Sequence, residues 1–430
     1  MSGALLIRGG RVVDPAQGLD GAFDLLIEDG AVARIEETID PKSAGGAEVL
    51  DASGLVVAAG FIDLHVHLRE PGQEYKETVA SGTRAAAAGG FTAVACMPNT
   101  VPVNDNPSVT GHILSEAARA GWARVYPIAA VSKGLAGQEL AEMGELTAAG
   151  AVAFSDDGLP VASGELLRRA LLYAAHFSAP IVQHAEDLVL TGDGVMHEGE
   201  WSTRLGLAGI PGASEDVVVA RDLLLAEETG GRYHVAHLST ARSLNLVRTA
   251  KARGLPVTCE VTPHHLLLTD RAVADTGFST DTKMKPPLRA ETDREALLAG
   301  LADGTVDAIA SDHAPHHRDE KDVEFSAAPF GIVGLETTVS LCLDRLVRAG
   351  VIGLPRLVEL LSTGPAKAFG LPGGTLAPGS PGDVTLLDLE RTVTVDPKSF
   401  RSKSRNTPFG GWELRGAPAG TILGGRRIDP

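Results

Sequence analysis

Phe61-Ile-Asp-Leu-His-Val-His67 is a short apolar run of strand formers that contains two histidines. In a β-strand, residues i and i+2 face the same side. His65 and His67 therefore project together, close enough to hold one metal ion. A buried imidazole pair is costly unless its polar atoms are satisfied, and a divalent metal satisfies both at once. The competing reading is a strand-end pair hydrogen-bonded to backbone. The pattern around the run decides between them.

Working outward, short apolar runs recur at 61–67, 91–97, 124–131, 151–157, 180–184, 233–238, 256–262 and 306–311. Helical patterns separate them. An Ala-rich stretch, 75–88, ends at Gly89-Gly90, a good C-cap. Residues 164–178 carry Leu166, Leu167, Ala170 and Leu171 at helical spacing. Residues 214–228 open on Ser214 as N-cap, and Thr292-Asp-Arg-Glu295 reads as a capping box. Repeated strand–helix units imply parallel strands, and eight of them imply an α/β fold, a (β/α)8 TIM-like barrel. Both ends read differently, as short strands with Gly and Asp turns. Neither end alone has much core, so the reading is a small β-sandwich domain composed of 1–56 plus 377–430, with the barrel, 57–376, inserted between. Gly- and Pro-rich residues 373–382 form the return linker.

The chain has 430 residues, 44% hydrophobic and 22% charged, an ordinary globular composition. No apolar run approaches the ~20 residues of a membrane span, and the N-terminus lacks the features of a secretion signal. Cys96, Cys259 and Cys342 lie in apolar segments without CxxC spacing. They read as buried thiols in a reducing compartment, the cytoplasm. A formal net charge of −17 argues against nucleic acid and membrane partners. It also means that an anionic substrate would need local cations.

Barrel enzymes place their chemistry at the C-terminal strand ends. There the chain offers His65 and His67, then Asp156-Asp157, His184, His237 and Asp312. Asp156 and Asp157 alternate faces, so one reaches the metal and the other bonds loop backbone. Imidazole and carboxylate suit Zn2+. Six ligands exceed the needs of one catalytic zinc, which points to two metal ions that lower the pKa of a water and polarise a carbonyl. His264 and His265 read as packing or supporting residues. His112 and His176 fall within helices.

The motifs resemble those of bacterial type I dihydroorotases in the amidohydrolase superfamily. The resemblance rests on Asp63-Leu-His-Val-His-Leu-Arg-Glu-Pro-Gly72, Tyr75-Lys-Glu-Thr78, Gly90-Phe-Thr92 and Met97-Pro-Asn-Thr100. It continues through Phe154-Ser-Asp-Asp-Gly158, Glu260-Val-Thr-Pro-His-His-Leu266, Ser311-Asp-His-Ala-Pro-His316 and Ala328-Pro-Phe-Gly-Ile-Val-Gly334. It implies two Zn2+ per subunit: His65 and His67 on the more buried ion, Asp157 bridging, His184 and His237 on the second, and Asp312 on the first. It also implies reversible hydrolysis of (S)-dihydroorotate to N-carbamoyl-L-aspartate in pyrimidine biosynthesis. A bridging hydroxide would attack the ring amide, with Asp312 as general base and then acid. Substrate contacts implied are His67, Arg69, Asn99, His316, Phe330 and Gly331. Lys285, in Lys283-Met-Lys-Pro-Pro-Leu-Arg289, departs from the Asn usual in the family and takes its place as a contact. A homodimer and association with aspartate transcarbamoylase follow from the same resemblance. The rival readings are another cyclic amidohydrolase (hydantoinase, dihydropyrimidinase or allantoinase) and a catalytically silent partner of the transcarbamoylase.

Overall fold

The computed structural model describes residues 4–430. Five strands open the chain: β1 (Leu5–Asp14), β2 (Leu19–Glu28), β3 (Ala31–Glu36), β4 (Glu48–Asp51) and β5 (Val56–Ala59). The barrel strands follow as β6 (Phe61–Val66), β7 (Phe91–Cys96), β8 (Arg124–Ala129), β9 (Ala153–Phe154) and β10 (Ile181–Gln183). A two-residue ladder, β11 (Met196–His197) with β12 (Gly209–Ile210), sits outside the barrel sheet. The barrel then resumes with β13 (Tyr233–Val235), β14 (Val257–Val261) and β15 (Ala308–Ile309). Three strands close the chain: β16 (Val384–Thr394), β17 (Glu413–Leu423) and β18 (Arg426–Ile428).

The eight barrel strands pair in sequence order, all in parallel. Closure is made just past the last strand, where Val66 bridges His313 and His67 N–H donates to the His313 carbonyl at 2.9 Å. Several strands are shorter than the apolar runs suggest. In the run 151–157 the backbone bonds to the neighbouring β8 segment run only from Val152 to Ser155, and the Asp156 side chain accepts Ser132 N–H at 2.9 Å.

The terminal strands form one sheet in the order β18-β17-β16-β5-β1-β2-β3, with β4 beside β1. The C-terminal β16 lies against the N-terminal β5, so neither end completes the sheet alone. Asp14 fastens the return linker by accepting Leu376 N–H at 2.7 Å and the Thr375 hydroxyl at 2.9 Å. Thr385 of β16 reaches the barrel. Its hydroxyl accepts Phe61 N–H at 3.1 Å and donates to the Gly90 carbonyl at 2.8 Å.

The first barrel helix runs Val79–Ala88, four residues later than its pattern suggests, because Thr78 and Ser81 build a reciprocal capping box. Two expected caps are absent. The helix Ala213–Thr229 begins before Ser214, whose hydroxyl donates to the Pro211 carbonyl instead. The helix Glu291–Ala302 has Ala290 at its cap and takes Thr292 inside. Asp293 there accepts Ala241 N–H at 2.9 Å, serving the start of the neighbouring helix Ala241–Ala252.

Candidate metal centre

The strand ends bring six side chains to one mouth of the barrel. Asp157 is at the centre, with its two oxygens facing different histidine pairs. Oδ2 lies 3.5 Å from His65 Nε2 and 3.6 Å from His67 Nε2. Oδ1 lies 3.5 Å from His184 Nδ1 and 3.4 Å from His237 Nε2. Asp312 Oδ1 stands 3.5 Å from His65 Nε2 and 3.3 Å from His67 Nε2. Ligand atoms of three overlapping groups each fall within 4.8 Å: His65, His237 and Asp312; His65, His67 and Asp157; Asp157, His184 and His237. Asp156 turns away, to the Ser132 N–H and hydroxyl.

Supporting contacts fix which ring nitrogen faces inward. Assigned from their partners, His65 Nδ1–H donates to Glu260 Oε1 and His67 Nδ1–H to Asn99 Oδ1, both at 2.9 Å. His184 Nε2–H donates to Glu186 Oε2 at 3.1 Å. In each ring the other nitrogen faces the mouth, the orientation a metal-binding histidine needs. His65 Nε2 and Asp157 Oδ1 are buried there without a hydrogen-bond partner. Buried atoms in that state cost free energy unless something satisfies them. Their N and O chemistry fits zinc or a similar divalent ion.

The electrostatics agree. Burial alone would raise the Asp157 and Asp312 carboxyls. The adjoining histidines instead hold both below the usual carboxylate range. Burial would likewise lower His184, yet its contacts to Asp157 and Glu186 bring it to about 9. The carboxylates thus call for positive charge, which the rings supply in a metal-free chain and a divalent ion supplies when bound. His237 and Asp312 also hold left-handed backbone, φ 31° and 45°, as does Arg69 at φ 62°. Such conformations are costly outside glycine and cluster at functional sites.

A cavity of about 330 Å3 opens over these ligands. Its wall includes Arg69, Asn99, Lys285, His316 and Phe330. Arg69 is buried, and its Nε donates to the Pro315 carbonyl at 3.2 Å. Glu70 and Glu74, the sequence-adjacent candidates for a salt bridge, accept Val79 N–H and Gly72 N–H instead. Burial lowers Arg69 to about 10, so it stays cationic at neutral pH. Gly72 turns the chain just after it at φ 96°, where a Cβ would meet the Val101 carbonyl at 1.9 Å. His316 donates through Nε2 to the Phe330 carbonyl at 2.9 Å and faces Glu320 through Nδ1 at 3.2 Å.

Gly331 differs from expectation. It does not line the cavity. Its N–H donates to the Lys283 carbonyl, and its carbonyl accepts Asn406 Nδ2 at 3.0 Å. A Cβ at this residue, φ 154°, would meet His316 Cδ2 at 2.7 Å, so glycine is needed for the close approach of the two loops. Lys285 also departs from a simple substrate contact: its Nζ pairs with Glu186 Oε1 at 2.9 Å. His265 is a packing residue, bonded to the Thr262 hydroxyl and Pro286 carbonyl.

Sequence reasoning assigned no role to Glu260, Glu186 or Asn406. Glu260 joins His65 to His234, whose Nε2 is 3.2 Å from Glu260 Oε2. The one local signal was a charged residue inside the apolar run 256–262, a position that is rarely buried unless paired.

A family model described as dihydro-orotase-like matches residues 54–243. A dihydroorotase of Anaeromyxobacter dehalogenans (strain 2CP-C) is 60% identical over 429 residues, 100% of this chain and 98% of that protein. One from Geobacter metallireducens (strain ATCC 53774 / DSM 7210 / GS-15) is 55% identical, covering 99% of each. Among solved structures, an L-hydantoinase (dihydropyrimidinase) from Arthrobacter aurescens superposes with a TM-score of 0.88 at 27% identity, covering 100% of this chain and 96% of that one. A D-hydantoinase (dihydropyrimidinase) from Thermus sp. gives 0.83 at 27% identity, covering 98% and 94%.

Proposed function

The chain belongs to the dihydroorotase family of cyclic amide hydrolases, and from that premise we propose that it opens the ring of (S)-dihydroorotate reversibly to N-carbamoyl-L-aspartate. The observation that carries the reading is Arg69, a buried guanidinium on the wall of the cavity that holds the ligand cluster, with no carboxylate ion-pair partner among the described residues. A fixed cation of this kind suits a planar carboxylate, and it offsets the repulsion of a chain with net charge −17.

His65, His67, Asp157, His184, His237 and Asp312 would hold two zinc ions. When bound, such ions lower the pKa of a water and polarise a carbonyl oxygen. The remaining work falls to side chains. Arg69, Asn99 and His316 hold the substrate carboxylate and so fix which ring amide faces Asp312. Asp312, kept ionised by the neighbouring histidines, takes a proton from the attacking water. It returns that proton to the ring nitrogen as the C–N bond breaks. Burial and the neighbouring Arg69 lower His316, and Arg69, cationic at neutral pH, supplies the charge.

The hydantoinase-like superpositions support a second reading, an uncharged ring as substrate. A panel of dihydroorotate, dihydrouracil and hydantoin decides. The proposal expects turnover of the carboxylated ring and a loss of roughly a hundredfold or more in kcat/KM for the others, since they leave Arg69 buried without its partner. Comparable rates on dihydrouracil would overturn it. Family membership supports a homodimer and association with aspartate transcarbamoylase, which sedimentation with and without that enzyme measures. Three buried free cysteines support a reducing compartment.

A further inference from the structure

Lys285 stands on the cavity wall, yet its ammonium is already engaged. Nζ lies 2.9 Å from Glu186 Oε1 and 5.4 Å from the centroid of the Phe330 ring. Glu186 is itself 5% exposed. Its Oε1 also accepts the Thr191 hydroxyl at 2.7 Å, and its Oε2 accepts His184 Nε2–H at 3.1 Å. His184 then presents Nδ1 to Asp157 Oδ1 at 3.5 Å and to His237 Nε2 at 2.9 Å. One unbroken path therefore runs from a cavity-wall lysine to the pair of rings on one side of Asp157.

A carboxylate this buried needs a counter-charge. Lys285 at Oε1 adds to the His184 ring at Oε2 in supplying it, so Glu186 stays an acceptor for His184. That bond decides which ring nitrogen of His184 carries the proton and which faces inward. An asparagine in place of Lys285 could bond Glu186 but could not neutralise it. Lysine here brings positive charge to the second of the two ligand clusters, through Glu186.

We propose that Lys285 is a positioning residue: through Glu186 it fixes the orientation and tautomer of His184, and so sets how tightly the His184–His237–Asp157 cluster holds a divalent ion. This rests on the reading of that cluster as a metal site. A lysine that instead read a substrate carbonyl would leave metal affinity untouched.

The two roles separate in one set of measurements. Wild type, Lys285→Asn, Lys285→Arg and Glu186→Gln, each loaded with zinc, are titrated with a chromophoric chelator, and KM for dihydroorotate is measured at saturating zinc. The expected result is that Lys285→Asn and Glu186→Gln hold one of two zinc equivalents about ten- to a hundredfold more weakly. Lys285→Arg keeps both. A raised KM with both equivalents held as in wild type would overturn the proposal. The metal-free protein gives a second test, independent of zinc. The His184 Nε2–H, buried against Glu186, should give a slowly exchanging downfield proton signal in wild type and Lys285→Arg that is lost in Lys285→Asn. Its retention in Lys285→Asn would also overturn the proposal. If wild type binds fewer than two equivalents while that signal behaves as expected, the two-metal reading fails and the positioning role stands.

Discussion

Asp157 faces two histidine pairs with two different oxygens, and that single placement organises the site. The residues around it were legible because strand periodicity and barrel topology together send strand-end side chains to one mouth. Asp312 shows what the sequence could not supply. Its left-handed backbone and its distance to His67 depend on the turn after β15 and on a ring just past β6, more than 240 residues earlier. Glu260 was hidden for the same reason, since its partners His65 and His234 come from other strands. At this scale Asp312→Asn removes the proton acceptor while keeping the side chain's size. Turnover should fall by about 10²–10⁴-fold, with zinc content measured by atomic absorption unchanged. Wild-type turnover in that variant would remove Asp312 from proton transfer.

The elements were read correctly in kind and order, and less well in extent. Apolar runs mark where a strand is buried, but pairing stops where side chains take over backbone partners, as Asp156 does at Ser132. Helix starts failed for a related reason: Ser214 and Asp293 satisfy groups outside their own first turn. The join between the terminal sheet and the barrel rests on similar long-range contacts. Thr385, fully buried, ties β16 to the start of β6 and to Gly90. Thr385→Val keeps the shape and strands two backbone groups, so stability should fall by about 1–3 kcal/mol. Urea unfolding measures this, and a midpoint equal to wild type would show that the join does not depend on the hydroxyl.

For the whole molecule, the composite sheet was legible because neither terminus could bury a core alone, and β5 paired with β16 is the physical answer. Among the described residues no helix is long and apolar enough to cross a membrane. All three cysteines are buried, and burial pushes Cys96 and Cys342 up to about 12, with Cys259 raised as well. The native protein should therefore expose no thiol to a disulfide reagent at pH 8, and three after denaturation. Rapid labelling of the folded chain would contradict this burial. The central claim joins a charged ring substrate to a metal-dependent site, and ring opening of L-dihydroorotate by the purified zinc-loaded protein tests it most directly. The account predicts turnover that a chelator abolishes and added zinc restores. Full zinc occupancy without turnover of this substrate would contradict it.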